Sequence, residues 1–128
     1  MPTFPGATGD VVTAAMWNGL PAFSVASDKT TDYTAASGDE YQQLIPMNKA
    51  TAIAFNIPTD ATYNFAVGTV ITVLNKGAGT CTISAVTPGT TTVLSAGGTP
   101  ASPTLGQYKS ASCIKTAANA WYVVGAIG

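Results

Sequence analysis

Between residues 51 and 57 the chain alternates strictly. Ile53, Phe55 and Ile57 fall on one side and Ala52, Ala54 and Asn56 on the other. That is the period of a strand with one buried face. The pattern returns over 80–86, where Cys81, Ile83 and Ala85 oppose Thr80, Thr82 and Ser84. Between such runs stand turn formers: Pro58-Thr59-Asp60, Asn75-Lys76-Gly77-Ala78-Gly79, Pro88-Gly89, a Gly/Pro-rich 96–104, and Ala117-Ala118-Asn119. Further strands are predicted over 30–34, 41–47, 69–74, 90–95, 107–116 and 120–125. Pro46 marks an edge or a strand end. The run 69–74, led in by Phe65–Gly68, is apolar on both faces and reads as central. About eight short strands at spacings of about 8–14 residues predict an all-β fold, an antiparallel β-sandwich or small barrel, and not βαβ units. The segment 75–79 reads as a hairpin loop, as does 117–119. No repeat at a fixed period is visible.

The start is different. Pro2, Pro5, Gly6 and Gly9 punctuate an extended segment. Thr13 can cap a short helical turn, Asn18-Gly19 can end it, and Pro21 forbids its continuation. Residues 1–27 therefore read as an N-terminal arm with one helical turn, and 28–128 as the β-domain. Met16, Trp17 and Leu20 share a compact apolar face, and Phe4, Val11 and Val12 add apolar side chains. So short a helix is unstable alone and must dock. It can fold back on its own domain or dock on a neighbour; Trp and Met are enriched at interfaces, which favours the neighbour. These six residues are the candidate partner-binding set.

Charge narrows the functions. Five Lys and six acids serve 128 residues, with no Arg and no His. The missing His removes the commonest general base and the usual Ser and Cys nucleophile pairs. No basic cluster exists to track a phosphate backbone, so nucleic acid is not an expected partner. No apolar run approaches the length of a membrane span. Met-Pro-Thr-Phe-Pro-Gly lacks the features of a secretory signal, which predicts synthesis in a cytoplasm. All six acids lie in the first 60 residues, so paired carboxylates would have to come from there.

Three motifs read structurally. Lys76-Gly77-Ala78-Gly79-Thr80 has the letters of a phosphate loop in the wrong order, and a strand follows it. Asp28, Asp32, Asp39 and Glu40 lack the regular loop of a calcium site and read as solvated turn acids. Cys81 and Cys113 fall within predicted strands and are expected as buried free thiols, a disulfide being the alternative. Neither has a His or Arg to activate it. Trp121 is expected in the core. No catalytic residue, cofactor or metal ligand is assigned.

Several segments together resemble a small β-domain of tailed-bacteriophage virion proteins, found in capsid decoration proteins, head fibres and tail fibres. They are Asp32-Tyr33-Thr34, Gly38-Asp39-Glu40 before Leu44-Ile45, Phe55-x-Ile57-Pro58, and Phe65-x-Val67-Gly68-Thr69-x-Ile71. They continue with Lys76-Gly77-Ala78-Gly79-Thr80-x-Thr82-Ile83, Gly97-Gly98, Gly106-Gln107-Tyr108, Ile114-Lys115 and Trp121-x-Val123-x-Gly125. The opening Gly9-Asp10-Val11-Val12-Thr13-Ala14-Ala15-Met16-Trp17-Asn18 resembles the starts of short phage structural proteins. Cys81 and Cys113 depart from the pattern, replacing one apolar residue by another.

The resemblance implies a non-enzymatic virion structural protein. An arm plus one domain suits a capsid decoration (cement) protein. Its implied partners are the major capsid protein and its own copies, as a homotrimer, on the capsid surface of a virion assembled in the host bacterial cytoplasm. The alternative is a head- or tail-fibre module binding host surface carbohydrate, for which Tyr33, Tyr41, Tyr63, Tyr108 and Tyr122 are the available rings.

Overall fold

The structure, a computed structural model, describes residues 24–95 and 102–127. Its strands are β1 (Ser24–Val25), β2 (Tyr33–Thr34), β3 (Gln42–Met47), β4 (Ile53–Ile57), β5 (Val70–Asn75), β6 (Cys81–Ala85), β7 (Thr92–Ser95), β8 (Thr104–Leu105), β9 (Ser110–Ala117) and β10 (Ala120–Gly125). They form a six-stranded sheet, β1-β3-β5-β9-β10-β7, and a four-stranded sheet, β2-β4-β6-β8. The fold is all-β, as the alternation predicts. Among the described residues no helix is long and apolar enough to cross a membrane.

One core lies between the sheets. The small sheet contributes Ile53, Phe55, Ile57, Cys81, Ile83 and Leu105; the large one contributes Ile45, Ile71, Val73, Ala111, Cys113, Trp121 and Val123. Each set is one face of an alternating strand. Phe65 stands edge-on to Trp121, with ring centroids 5.7 Å apart, and Tyr63 edge-on to Phe65 at 4.5 Å. Both arrangements suit the ring quadrupole. Trp121 is buried, as expected.

Strand direction differs from the antiparallel expectation. Five of the eight strand pairings are parallel, so both sheets are mixed. The cause is the path of the chain. It passes from β1 to β2, from β3 to β4 and from β5 to β6, each time crossing from the large sheet to the small one. Successive passes then lie side by side in the same direction. From the second pass to the third the offset is 28 residues in both sheets: Ile45 pairs with Val73, and Ile53 with Cys81.

The segment 75–79 is therefore not a hairpin loop. It is a corner between sheets, stacked on the corresponding corner 47–51. The amides of Lys76 and Gly77 donate to the Met47 carbonyl, Gly79 N–H donates to Lys49 O at 3.0 Å, and Ile53 N–H donates to Thr80 O at 3.1 Å. A Cβ on Gly77 would lie 2.2 Å from Lys49 O, and one on Gly79 would lie 1.8 Å from Thr51 O. Glycine is needed here for close approach of two backbones. The side chain of Asn75, wholly buried, fastens the corner. Its amide nitrogen donates to Gly79 O and Leu105 O, both at 2.8 Å, and its oxygen accepts from Gly77 N–H.

Several boundaries move: the strand predicted over 107–116 spans Ser110–Ala117, that over 90–95 shortens to Thr92–Ser95, and the short β8 begins at Thr104, inside the segment read as a loop. The strand predicted from residue 41 starts one residue later, because Asp39–Tyr41 is a 3-10 turn. The strand predicted over 30–34 shortens to Tyr33–Thr34. Ser24–Val25, within the segment read as arm, pairs with β3. Pro46 fits its place: its carbonyl accepts from Lys29 N–H, so its missing donor faces the segment after β1 rather than β5. The final hairpin forms as predicted, with Asn119 at φ 50° in its turn.

Candidate functional site

The outward face of the large sheet follows from the same alternation. Val70 pairs with Ile114, Ile114 with Tyr122, and Tyr122 with Leu94. This makes one apolar row across four strands. The next row is Thr72, Ser112 and Val124, with the two hydroxyls hydrogen-bonded at 3.0 Å. Val70, Tyr122 and Val124 are each almost half exposed. The six strands of this sheet hold a single charged residue, Lys115, and it points inward. The face is thus uncharged and partly apolar, and contiguous apolar surface of this kind marks contact sites.

β1 is the edge strand of this sheet, so residues 1–23 join the domain at one margin of the uncharged face. Phe4, Val11, Val12, Met16, Trp17 and Leu20 lie outside the described residues.

Inside the domain, at the end of the strands that holds Val70 and Ile114, lies a cluster that the sequence reading missed. Lys115 is 1% exposed. Its Nζ donates to Asp60 Oδ1 at 2.8 Å, to Asn64 Oδ1 at 2.7 Å and to the Phe65 carbonyl at 2.6 Å. Three acceptors match the three protons of an ammonium. Asp60 Oδ2 accepts from Asn119 N–H at 3.0 Å, and Asp60 N–H donates to Asn119 Oδ1 at 2.9 Å. The Lys115 ammonium beside Asp60 holds its carboxyl below the usual range. A shallow cavity of about 300 Å³ opens beside Asp60, Asn64, Phe65, Val67 and Lys115. The signal was present in the sequence. Ala111, Cys113 and Lys115 share one face of an alternating run, so the lysine had to enter the core.

None of three comparisons, with protein-family models, curated proteins and solved structures, found a match. The reading therefore rests on the residues themselves.

The turn acids each have separate partners. Asp28 accepts from Lys76 and Asn48, and Asp32 accepts from Ala54 N–H. Asp39 accepts from Tyr33 O–H and Ala36 N–H. Glu40 accepts from Gly38 N–H and Tyr63 O–H. Among the described residues no three acids or thiols gather as metal ligands would. The tyrosines divide. Tyr33 and Tyr63 bond to the Asp39–Tyr41 turn, which contains the exposed Tyr41, whereas Tyr122 lies on the outer face of the large sheet and Tyr108 in the loop before β9. Burial pushes the Tyr33 hydroxyl up to about 12, with Asp39 adding to it.

Cys81 and Cys113 are buried free thiols. Burial raises them to about 11 and about 12. Both therefore stay protonated and unreactive at neutral pH.

Proposed function

We propose that this chain is a non-enzymatic virion structural protein, a capsid decoration protein of a tailed phage. In this reading the 1–23 segment grips the major capsid protein, and the β-domain packs against its own copies as a trimer. The observation that carries the reading is the uncharged outer face of the large sheet, bordered by the strand that continues from the arm. A sheet that packs on neighbours needs apolar rows without charges to desolvate. Val70, Ile114, Tyr122 and Val124 supply them. Closed cyclic packing limits the assembly, and local three-fold positions of an icosahedral shell favour three copies.

Co-sedimentation with expanded heads of the phage that encodes the chain tests the proposal. The full chain is expected to sediment with heads, and a chain lacking residues 1–21 is expected to stay folded but remain in the supernatant. Tyr122→Glu should lower the mass of the free protein in analytical ultracentrifugation to that of a monomer. Full binding by the truncated chain would remove the arm from the proposal. A wild-type monomer both free and on heads would remove the trimer.

A further inference from the structure

The geometry points to a self-formed covalent link: an isopeptide bond between Lys115 Nζ and Asn64 Cγ, made with Asp60 as proton carrier and released ammonia as the by-product. This inference does not depend on the virion reading. A nucleophile, a carboxamide and a carboxylate meet at hydrogen-bond distance, Nζ lying 2.7 Å from Asn64 Oδ1 and 2.8 Å from Asp60 Oδ1. The carboxamide carbon is one bond beyond that oxygen.

The surroundings suit amide chemistry. Lys115 is buried on β9, directly opposite Trp121 on β10, and Phe65 packs against that indole. A primary amide is a poor electrophile, but two groups held in contact gain a very large effective concentration. Asn64 lies at the exposed rim of the cavity beside the amine, so ammonia has a way out. An ion pair of such burial is also a poor source of stability. Converting Lys115 to an amide removes the buried ammonium and leaves the carboxylate of Asp60, which is 19% exposed and accepts from Asn119 N–H.

The steps balance. Asp60 carboxylate takes one proton from the Lys115 ammonium. The freed lone pair attacks Asn64 Cγ, forming the C–N bond and moving the carbonyl π pair onto Oδ1. The Nζ of this adduct gives up a second proton, and protons carried by Asp60 pass to the departing Nδ2. The Cγ–Nδ2 bond breaks as the carbonyl re-forms. Nitrogen leaves as ammonium, Lys115 keeps one N–H in the new amide, and Asp60 returns to carboxylate. No oxidant, metal or second substrate enters.

Mass spectrometry of the purified full chain tests this. The expected mass is that of the sequence less one ammonia, after allowance for Met1 removal. Trypsin cuts after lysine only when the amine is free, so a digest of the unfolded protein should contain a branched peptide joining 50–76 to 110–128, uncut after Lys115. Asn64→Ala, at an exposed position, should restore the unshifted mass and cleavage after Lys115. Asp60→Asn should form the link about a hundredfold more slowly. An unshifted wild-type mass with free cleavage after Lys115 would overturn the proposal. So would an ammonia loss confined to peptide 50–76, which is the signature of an imide at one of its asparagines. A link that survives Asn64→Ala would overturn the assignment, and one formed at the wild-type rate in Asp60→Asn would overturn the role given to Asp60.

Discussion

The two ends of the strands each carry a lysine–aspartate pair of nearly the same length. At one end Lys76 Nζ lies 2.9 Å from Asp28; at the other Lys115 Nζ lies 2.8 Å from Asp60. The lysine side chains are 43% and 1% exposed. The difference lies in what the backbone has already done. At the Lys76 end two corners stack, and their amides and carbonyls satisfy one another. The ion pair there is an addition in water, where such pairs contribute little. At the Lys115 end residues 58–68 form an irregular loop, tied to the connection of the preceding pass by Tyr63 O–H donating to Glu40. There a buried side chain takes the place of the ladder, binding loop to hairpin through Asp60, Asn64, Phe65 and Asn119. Equal distances therefore say little about equal contributions.

The hardest way to break the comparison is Asp60→Ala. It leaves the Lys115 ammonium buried without its countercharge, and should lower stability by about 3 kcal/mol or more in urea unfolding. The matching break at the other end is in the backbone, not the ion pair. Gly79→Ala would place a Cβ 2.1 Å from the Thr51 carbonyl carbon, and separating the corners should lower stability by about 2–3 kcal/mol.

Acid gives a gentler separation. Asp60 and Asp28 are both held below the usual carboxylate range, each chiefly by hydrogen bonding to its lysine. A depressed carboxyl stabilises the fold above its unfolded pKa, near 4, and that share is lost as pH falls through the folded value. With Asn64→Ala present, so that Lys115 keeps its charge, Asp60→Asn should flatten the loss of stability below about pH 4. Asp28→Asn should leave that curve unchanged, because solvent screens the exposed pair. The smallest effect is expected of Lys76→Met: no shift in the urea midpoint, with or without added salt. A clear loss would show that the exposed pair supports the corner after all.

The sequence carried faces better than neighbours. Alternation placed Ile53, Phe55, Ile57, Cys81, Ile83 and Trp121 in the core, since a period of two says which side is wet. It does not say in which direction the adjoining strand runs, so the parallel pairings were not legible. The corner at 75–79 reads as a hairpin in sequence because both need glycine, one for a turn and the other for close backbone approach. The 28-residue offset left no visible repeat. Of the positions aligned over 45–57 and 73–85, only Ala50 and Ala78 are identical. Two passes need matched shape, not matched residues. Lys115 was within reach through the parity it shares with Ala111 and Cys113, but its partners Asp60 and Asn64 come from a loop whose path no periodicity encodes.

The stacked passes have one further consequence. A chain that winds between two sheets builds each pass on the exposed rim of the last, and nothing in the winding itself limits its length. Here the limit is direction. After the third pass, β9 lies against β5 and β8 against β6, both antiparallel. They occupy the rims on which a fourth pass would be laid. Unpaired rims of this kind recruit foreign strands, so the reversal serves as a stop codon written in hydrogen bonds: it ends the winding and denies other chains the same place to add.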